Sequence, residues 1–237
     1  MTETSPRPKA RLAGVFYLLT GGTAFAEVVR SSVVMHDDAA ATAHNIVASE
    51  PLYRVAFAAD ICGIASYLIV TLLLYALLKP VSRSISLLAA SIGLVGVATQ
   101  TFASLWYLAP LLLLGGEHYL AAFGAAQLQA MTLLSLHLYT QAFNIALVFF
   151  GLYCASLGYL IFRSTFLPRI LGVLMTLAGL GLLTNSFLAF LAPGVASALT
   201  PLTLGLDGIG ELALMLWLLI VGVNVQKRQE QANRQMT

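Results

Sequence analysis

Gly210-Glu211-Leu212-Ala213-Leu214-Met215-Leu216-Trp217-Leu218-Leu219-Ile220-Val221 is apolar enough to lie in lipid, yet it carries a carboxylate near its start. An acid placed there is paired, neutralised or used. The stretch belongs to a longer apolar run from about Leu202 to Val225 that stops at Lys227-Arg228. At about 1.5 Å rise per residue such a run crosses a hydrocarbon core of about 30 Å.

The same pattern repeats along the whole chain. Hydrophobic residues make up 59% and charged residues 9%, and the mean hydropathy is +0.88. Soluble domains average about 45–50% apolar and about 25% charged. The chain therefore reads as all-α, a polytopic integral membrane protein built as a six-transmembrane-helix bundle with two short helices on its outer surface. Its other expected spans run from Arg11 to about Val34, Leu52 to Leu78, Ile85 to Leu114, Leu134 to Phe162 and Ile170 to Leu191. Asp37 and Asp38 open a short surface helix over 39–49, and residues 117–133 form a second, weakly amphipathic one. Pro193 to Pro201 reads as an uncharged loop. Residues 1–10 read as a disordered cytoplasmic tail and 227–237 as a second cytoplasmic tail, flanking one membrane domain, 11–226.

Ala24-Phe25-Ala26 mimics the small-residue cleavage site of a signal peptide. The apolar run resumes beyond it, so the expectation is a retained first span. Of the twelve Lys and Arg residues, only Arg30 and Arg54 fall on one side of the expected membrane. Basic residues in short loops stay cytoplasmic, which places both termini in the cytoplasm and the chain in the inner (cytoplasmic) membrane. Cys62 and Cys154 lie at different expected depths and read as small packing residues rather than a disulfide. A net charge of +2 with scattered basic residues implies no nucleic-acid partner. Membrane lipids are the expected partners, beside a small-molecule ligand; protein partners are not indicated.

Counted from the basic residue that ends each span, Glu27, Asp60, Gln100, Asn144, Asn185 and Glu211 fall about 16 to 19 positions away, or roughly 24 to 28 Å at about 1.5 Å per residue. The expectation is a polar layer in the outer third of the membrane. Arg30, three residues after Glu27, shares its helix face and supplies positive charge. Asp207 precedes Glu211 by one turn, and two acids so placed call for a cation, a proton or a metal. His137, Gln141 and Asn144 form one stripe at i, i+4 and i+7.

The bland readings differ by residue. Gln100, Asn144 and Asn185 suit interhelical glue, and Glu27 with Arg30 suits a structural ion pair. For Asp60 and Glu211 the functional reading is preferred. His36, His44 and His118 read as solvated, while Trp106, Tyr107, Tyr119 and Tyr53 read as an outer aromatic belt. Zinc held by His137, Asp60 and Glu211 is chemically open, but no HxxxH or HExxH pairing supports it. No metal or other cofactor is expected, and the sequence holds no Gly-rich phosphate loop, GxSxG elbow or CxxC.

Arg11-x-x-Gly14-x-x-Tyr17-Leu18, Phe25-x-Glu27, Leu167-Pro168-Arg169-x-Leu171-Gly172-x-Leu174 and Gly210-Glu211-Leu212-x-Leu214-x-x-Trp217-Leu218 occur in this order. Together they resemble the bacterial membrane proteins grouped as domain of unknown function 4386, over nearly all of residues 11 to 225. The resemblance implies a prokaryotic inner-membrane protein in which Glu27 and Glu211 occupy the family's acidic positions. It implies no activity. Three functions stay open on the sequence: binding, transport or sensing of a small lipophilic or cationic ligand; a membrane-embedded hydrolase or transferase using a carboxylate and His137; and a structural or regulatory subunit.

Overall fold

The computed structural model describes residues 6–35, 37–116 and 118–234, without the side chain of Tyr119. Residues 1–5, His36, Glu117 and the final three residues, together with what the sequence suggests for them and for the Tyr119 ring, lie outside that description. Among the described residues every regular element is helical. They are α1 (Pro6–Leu19), α2 (Gly21–Val33), α3 (Ala39–Ala48), α4 (Glu50–Leu78), α5 (Arg83–Leu113), α6 (Ala125–Arg163), α7 (Arg169–Leu191), α8 (Pro193–Ile220) and α9 (Val225–Asn233), with a 3-10 turn at His118–Ala122.

Six of these stretches are long and apolar enough to cross a membrane, α1 and α2 counting as one from Pro6 to Val33. Their apolar residues run all round the helix, so many large side chains stay exposed, from Val28 and Ile220 to Leu191. That distribution suits surfaces bathed in lipid rather than water. The protein is a multi-pass membrane protein.

Three boundaries differ from the sequence reading, the first being α1, which begins at Pro6 inside the expected disordered tail. Residues 125–133 are not a separate surface helix but the first turns of the 39-residue α6. The expected loop from Pro193 to Pro201 is helical as well. Pro193 stands at the helix start, where its missing N–H costs nothing. Around Pro201 the hydroxyls of Thr200 and Thr203 bond to the carbonyls of Ala196 and Leu199, the local repair that lets proline sit inside membrane helices.

The chain divides into two compact units. Of the described residues, unit 1 comprises 6–18, 66–97 and 144–234. Its α6 and α7 meet along glycines: a Cβ built on Gly158 would lie 2.7 Å from the carbonyl oxygen of Gly172. Such close backbone approach replaces the hydrophobic drive that lipid removes. At one end α9 is tied down by Arg228, whose guanidinium donates to the carbonyls of Ala76 and Leu77 at 2.8 and 3.1 Å. Those carbonyls belong to the last turn of α4, where acceptors lack helical partners.

Unit 2 comprises residues 19–65 and 98–143. Asp38 caps α3 by accepting the Ala41 amide at 2.8 Å, and Thr42 and Asn45 fasten α3 to the end of α2 through Met35 and Val33. Its core contains Val29, Ile46, Tyr53, Tyr107, Leu136 and Tyr139. Here the aromatic belt needs correcting. Tyr53 and Tyr107 are both 0% exposed, because the Tyr53 hydroxyl donates to the Tyr107 carbonyl at 2.8 Å and that of Tyr107 to the Ala26 carbonyl at 3.2 Å. Buried tyrosines with satisfied hydroxyls are core residues, not interfacial anchors.

Candidate functional site

In unit 1, Glu211 stands near the middle of α8 and faces α1, α4 and α6. Its Oε1 accepts the hydroxyl of Tyr17 at 2.9 Å and that of Tyr67 at 2.8 Å, while the Cys154 sulfur lies 4.0 Å away. The two tyrosine rings meet edge to face, 6.0 Å apart. One turn earlier on α8 stands Asp207, whose Oδ1 is buried and receives no hydrogen bond. One ligand-type atom each from Cys154, Asp207 and Glu211 lie within 4.8 Å of one another. Two carboxylates and a sulfur thus crowd together, and their described donors are neutral hydroxyls. Among the described residues no Lys or Arg makes an ion pair or a hydrogen bond to either acid.

The close approach has a backbone cause. Gly210 precedes Glu211, and a Cβ on it would come within 2.9 Å of the Leu174 carbonyl. Without a side chain there, α8 lies tightly on α7. On the opposite side Gly14 admits the backbone of Leu219, 2.6 Å from where its Cβ would be. That contact brings α1, and Tyr17 one turn further on, against the helix that carries Glu211.

The amides of unit 1 form a separate group. Asn185 Nδ2 donates to Asn144 Oδ1 at 3.4 Å, and Asn185 Oδ1 accepts from Thr200 and Thr203 at 3.0 and 3.2 Å. This chain of hydrogen bonds links α6, α7 and α8.

Unit 2 holds the other expected residues. Arg30 forks onto Glu27, Nε to Oε2 at 2.9 Å and Nη2 to Oε1. Its guanidinium also lies 5.2 Å from the centre of the Tyr139 ring and 3.4 Å from the Thr140 hydroxyl. Asp60 is 0% exposed; its Oδ2 accepts the Ser104 hydroxyl at 2.8 Å, whereas Oδ1 has no donor. Gln100, expected as glue, is 3% exposed with both amide atoms unpartnered. Each such buried vacancy costs about 1–3 kcal/mol unless filled.

His137 and Gln141 are exposed while Asn144 is buried, so the expected stripe does not share one environment. His44 and His118 are exposed too. Among the described residues the three side chains whose ligand-type atoms lie within 4.8 Å of one another are Cys154, Asp207 and Glu211, not a set containing His137. Neither cysteine forms a disulfide. Cys154, read from the sequence as packing, and Tyr67 were missed. Tyr17 was visible only as part of a motif. A tyrosine or cysteine in an apolar run carries no signal of its own until a facing acid is known.

The profile of the family described as Domain of unknown function (DUF4386) matches residues 12–222. A relative from Archaeoglobus fulgidus, described as an uncharacterized protein, is 29% identical over 153 residues, 65% of this chain and 75% of that protein. No solved structure matches the chain.

Proposed function

We propose that this chain, which belongs to the DUF4386 family, binds a small cation within the membrane through Glu211 and Asp207. The observation that carries the reading is the imbalance of unit 1: two adjacent carboxylates, one with a buried oxygen that receives no hydrogen bond, and, among the described residues, neutral hydroxyl and thiol groups as their hydrogen-bond partners. An acceptor-only cluster away from water is complemented by a positive ligand. Tyr17 and Tyr67 hold Glu211 in one orientation, so its remaining oxygen and Asp207 are arranged before a cation arrives. The charge count of the loops supports both termini on the cytoplasmic side of an inner membrane. Transport or sensing would follow from such binding.

The test is calorimetric titration of the purified protein with Zn²⁺ and with butylammonium, one a metal ion and one a lipophilic cation. Saturable binding of either, weakened at least about tenfold (1.4 kcal/mol) by Glu211→Gln, is expected. No binding of either would overturn the reading.

A further inference from the structure

Asp207 and Glu211 stand four residues apart on α8, so their carboxylates leave the helix on one face. Cys154 reaches the same place from α6, 0% exposed and with its sulfur 4.0 Å from Glu211 Oε1. Backbone contacts fix the thiol there. Gly151 and Gly158 flank Cys154 on α6, and a Cβ on them would come within 2.9 and 2.7 Å of the carbonyl oxygens of Gly179 and Gly172 on α7. The same α7 carries the Leu174 carbonyl against which Gly210 of α8 packs. The helix bearing the sulfur and the helix bearing the acids are thus held against one shared neighbour. Asp207 Oδ1 is shielded from solvent and receives no hydrogen bond, and among the described residues the charged group that acts on this side chain is Glu211. Buried polar atoms are nearly always paired, so this oxygen, beside a second carboxylate and a thiol, points to a partner that the chain does not itself supply.

The donor set decides between cations. Calcium takes about 6–8 oxygen ligands, and magnesium an octahedral oxygen set that keeps its waters. Three side chains, one of them offering sulfur, do not meet either demand. An alkylammonium needs hydrogen-bond acceptors, and a thiol is a weak one. A divalent ion of zinc type takes thiolate and carboxylate together in four-coordinate sites. With bonds of about 2.3 Å to sulfur and about 2.0–2.2 Å to oxygen at the tetrahedral angle, the two ligand atoms stand about 3.6 Å apart. The 4.0 Å between Cys154 Sγ and Glu211 Oε1 needs only a small side-chain adjustment to reach that spacing. Tyr17 and Tyr67, donating to Glu211 Oε1, serve as the outer partners that orient a ligating carboxylate. Three protein ligands leave the fourth position open, as in zinc sites that exchange a ligand.

We infer that Cys154 is the third ligand of this site and that its cation is a thiophilic divalent metal ion of zinc type. The inference rests on the proposed cation binding by Glu211 and Asp207. As the sulfur–metal bond forms, the S–H bond breaks and its proton passes to the medium. The experiment is titration of the full-length protein in nanodiscs with Co²⁺, whose bond to a thiolate gives a charge-transfer absorption band. That band should saturate with a single ion per chain, disappear on adding Zn²⁺, and persist in excess Mg²⁺ or butylammonium. Cys154→Ser should remove it and weaken Zn²⁺ binding at least about tenfold, whereas Cys62→Ser, which removes the exposed thiol, should keep both. Should Cys154→Ser fail to fold, the band in the native protein and in Cys62→Ser decides alone. Cation binding that Glu211→Gln weakens overturns the thiol ligand, and leaves the cation reading standing, if it gives no thiolate band, gives one that Cys62→Ser removes, or is undiminished in Cys154→Ser. No binding of Co²⁺, Zn²⁺ or butylammonium overturns both.

Discussion

The two units treat an acid on an apolar helix in opposite ways. In unit 2 Glu27 receives a forked arginine, and that arginine lies over an aromatic ring. In unit 1 Glu211 receives two tyrosine hydroxyls and a neighbouring acid. Both place a carboxylate where lipid would otherwise penalise it, but only the first supplies a compensating charge from the protein. On the proposed reading the difference marks where a ligand would act: a cluster neutral by construction is architecture, and one that is not takes a proton or a cation.

The largest effect should come from breaking the frame that holds the uncompensated acids. Gly158→Leu would drive a side chain into the Gly172 carbonyl, 2.7 Å from the Cβ position. Loss of more than about 4 kcal/mol, seen as failure to recover folded protein from a denaturant titration in micelles, is expected. Next in size is Glu211→Gln. It keeps an acceptor for Tyr17 and Tyr67, so stability should hold while cation affinity falls at least about tenfold, or 1.4 kcal/mol.

Arg30→Met sharpens the contrast from the other side. Removing one partner of a buried ion pair costs about 3–5 kcal/mol, but the Glu27 side chain is 41% exposed against 13% for Arg30. A loss of about 1–2 kcal/mol is expected, with cation affinity unchanged. Tyr53→Phe should have the smallest effect, about 0.5–1.5 kcal/mol, by deleting the hydroxyl bond to the Tyr107 carbonyl. Both losses would appear as shifts in unfolding midpoint.

What the sequence revealed depended on whether the signal was local. Span number follows from apolar run length, the Asp38 cap from an acid ahead of an alanine-rich segment, and the Glu27–Arg30 pair from a three-residue spacing. Where two signals competed, the weaker physics was read. Residues 125–133 are polar enough to suggest a surface helix, but continuing α6 costs less than ending it and capping both new termini. Pro193 and Pro201 suggest a loop, but one starts a helix and the other is repaired by threonine hydroxyls. Tyr67 and Cys154 join Glu211 from 144 and 57 residues away. No periodicity on their own helices announces that meeting.

The most direct test compares the two acids by one titration. Zn²⁺ and butylammonium are added to the native protein, to Glu211→Gln and to Glu27→Gln, each confirmed folded by its unfolding midpoint. The account predicts that Glu211→Gln loses cation binding and Glu27→Gln keeps it. Equal loss in both variants, or undiminished binding in Glu211→Gln, would contradict it.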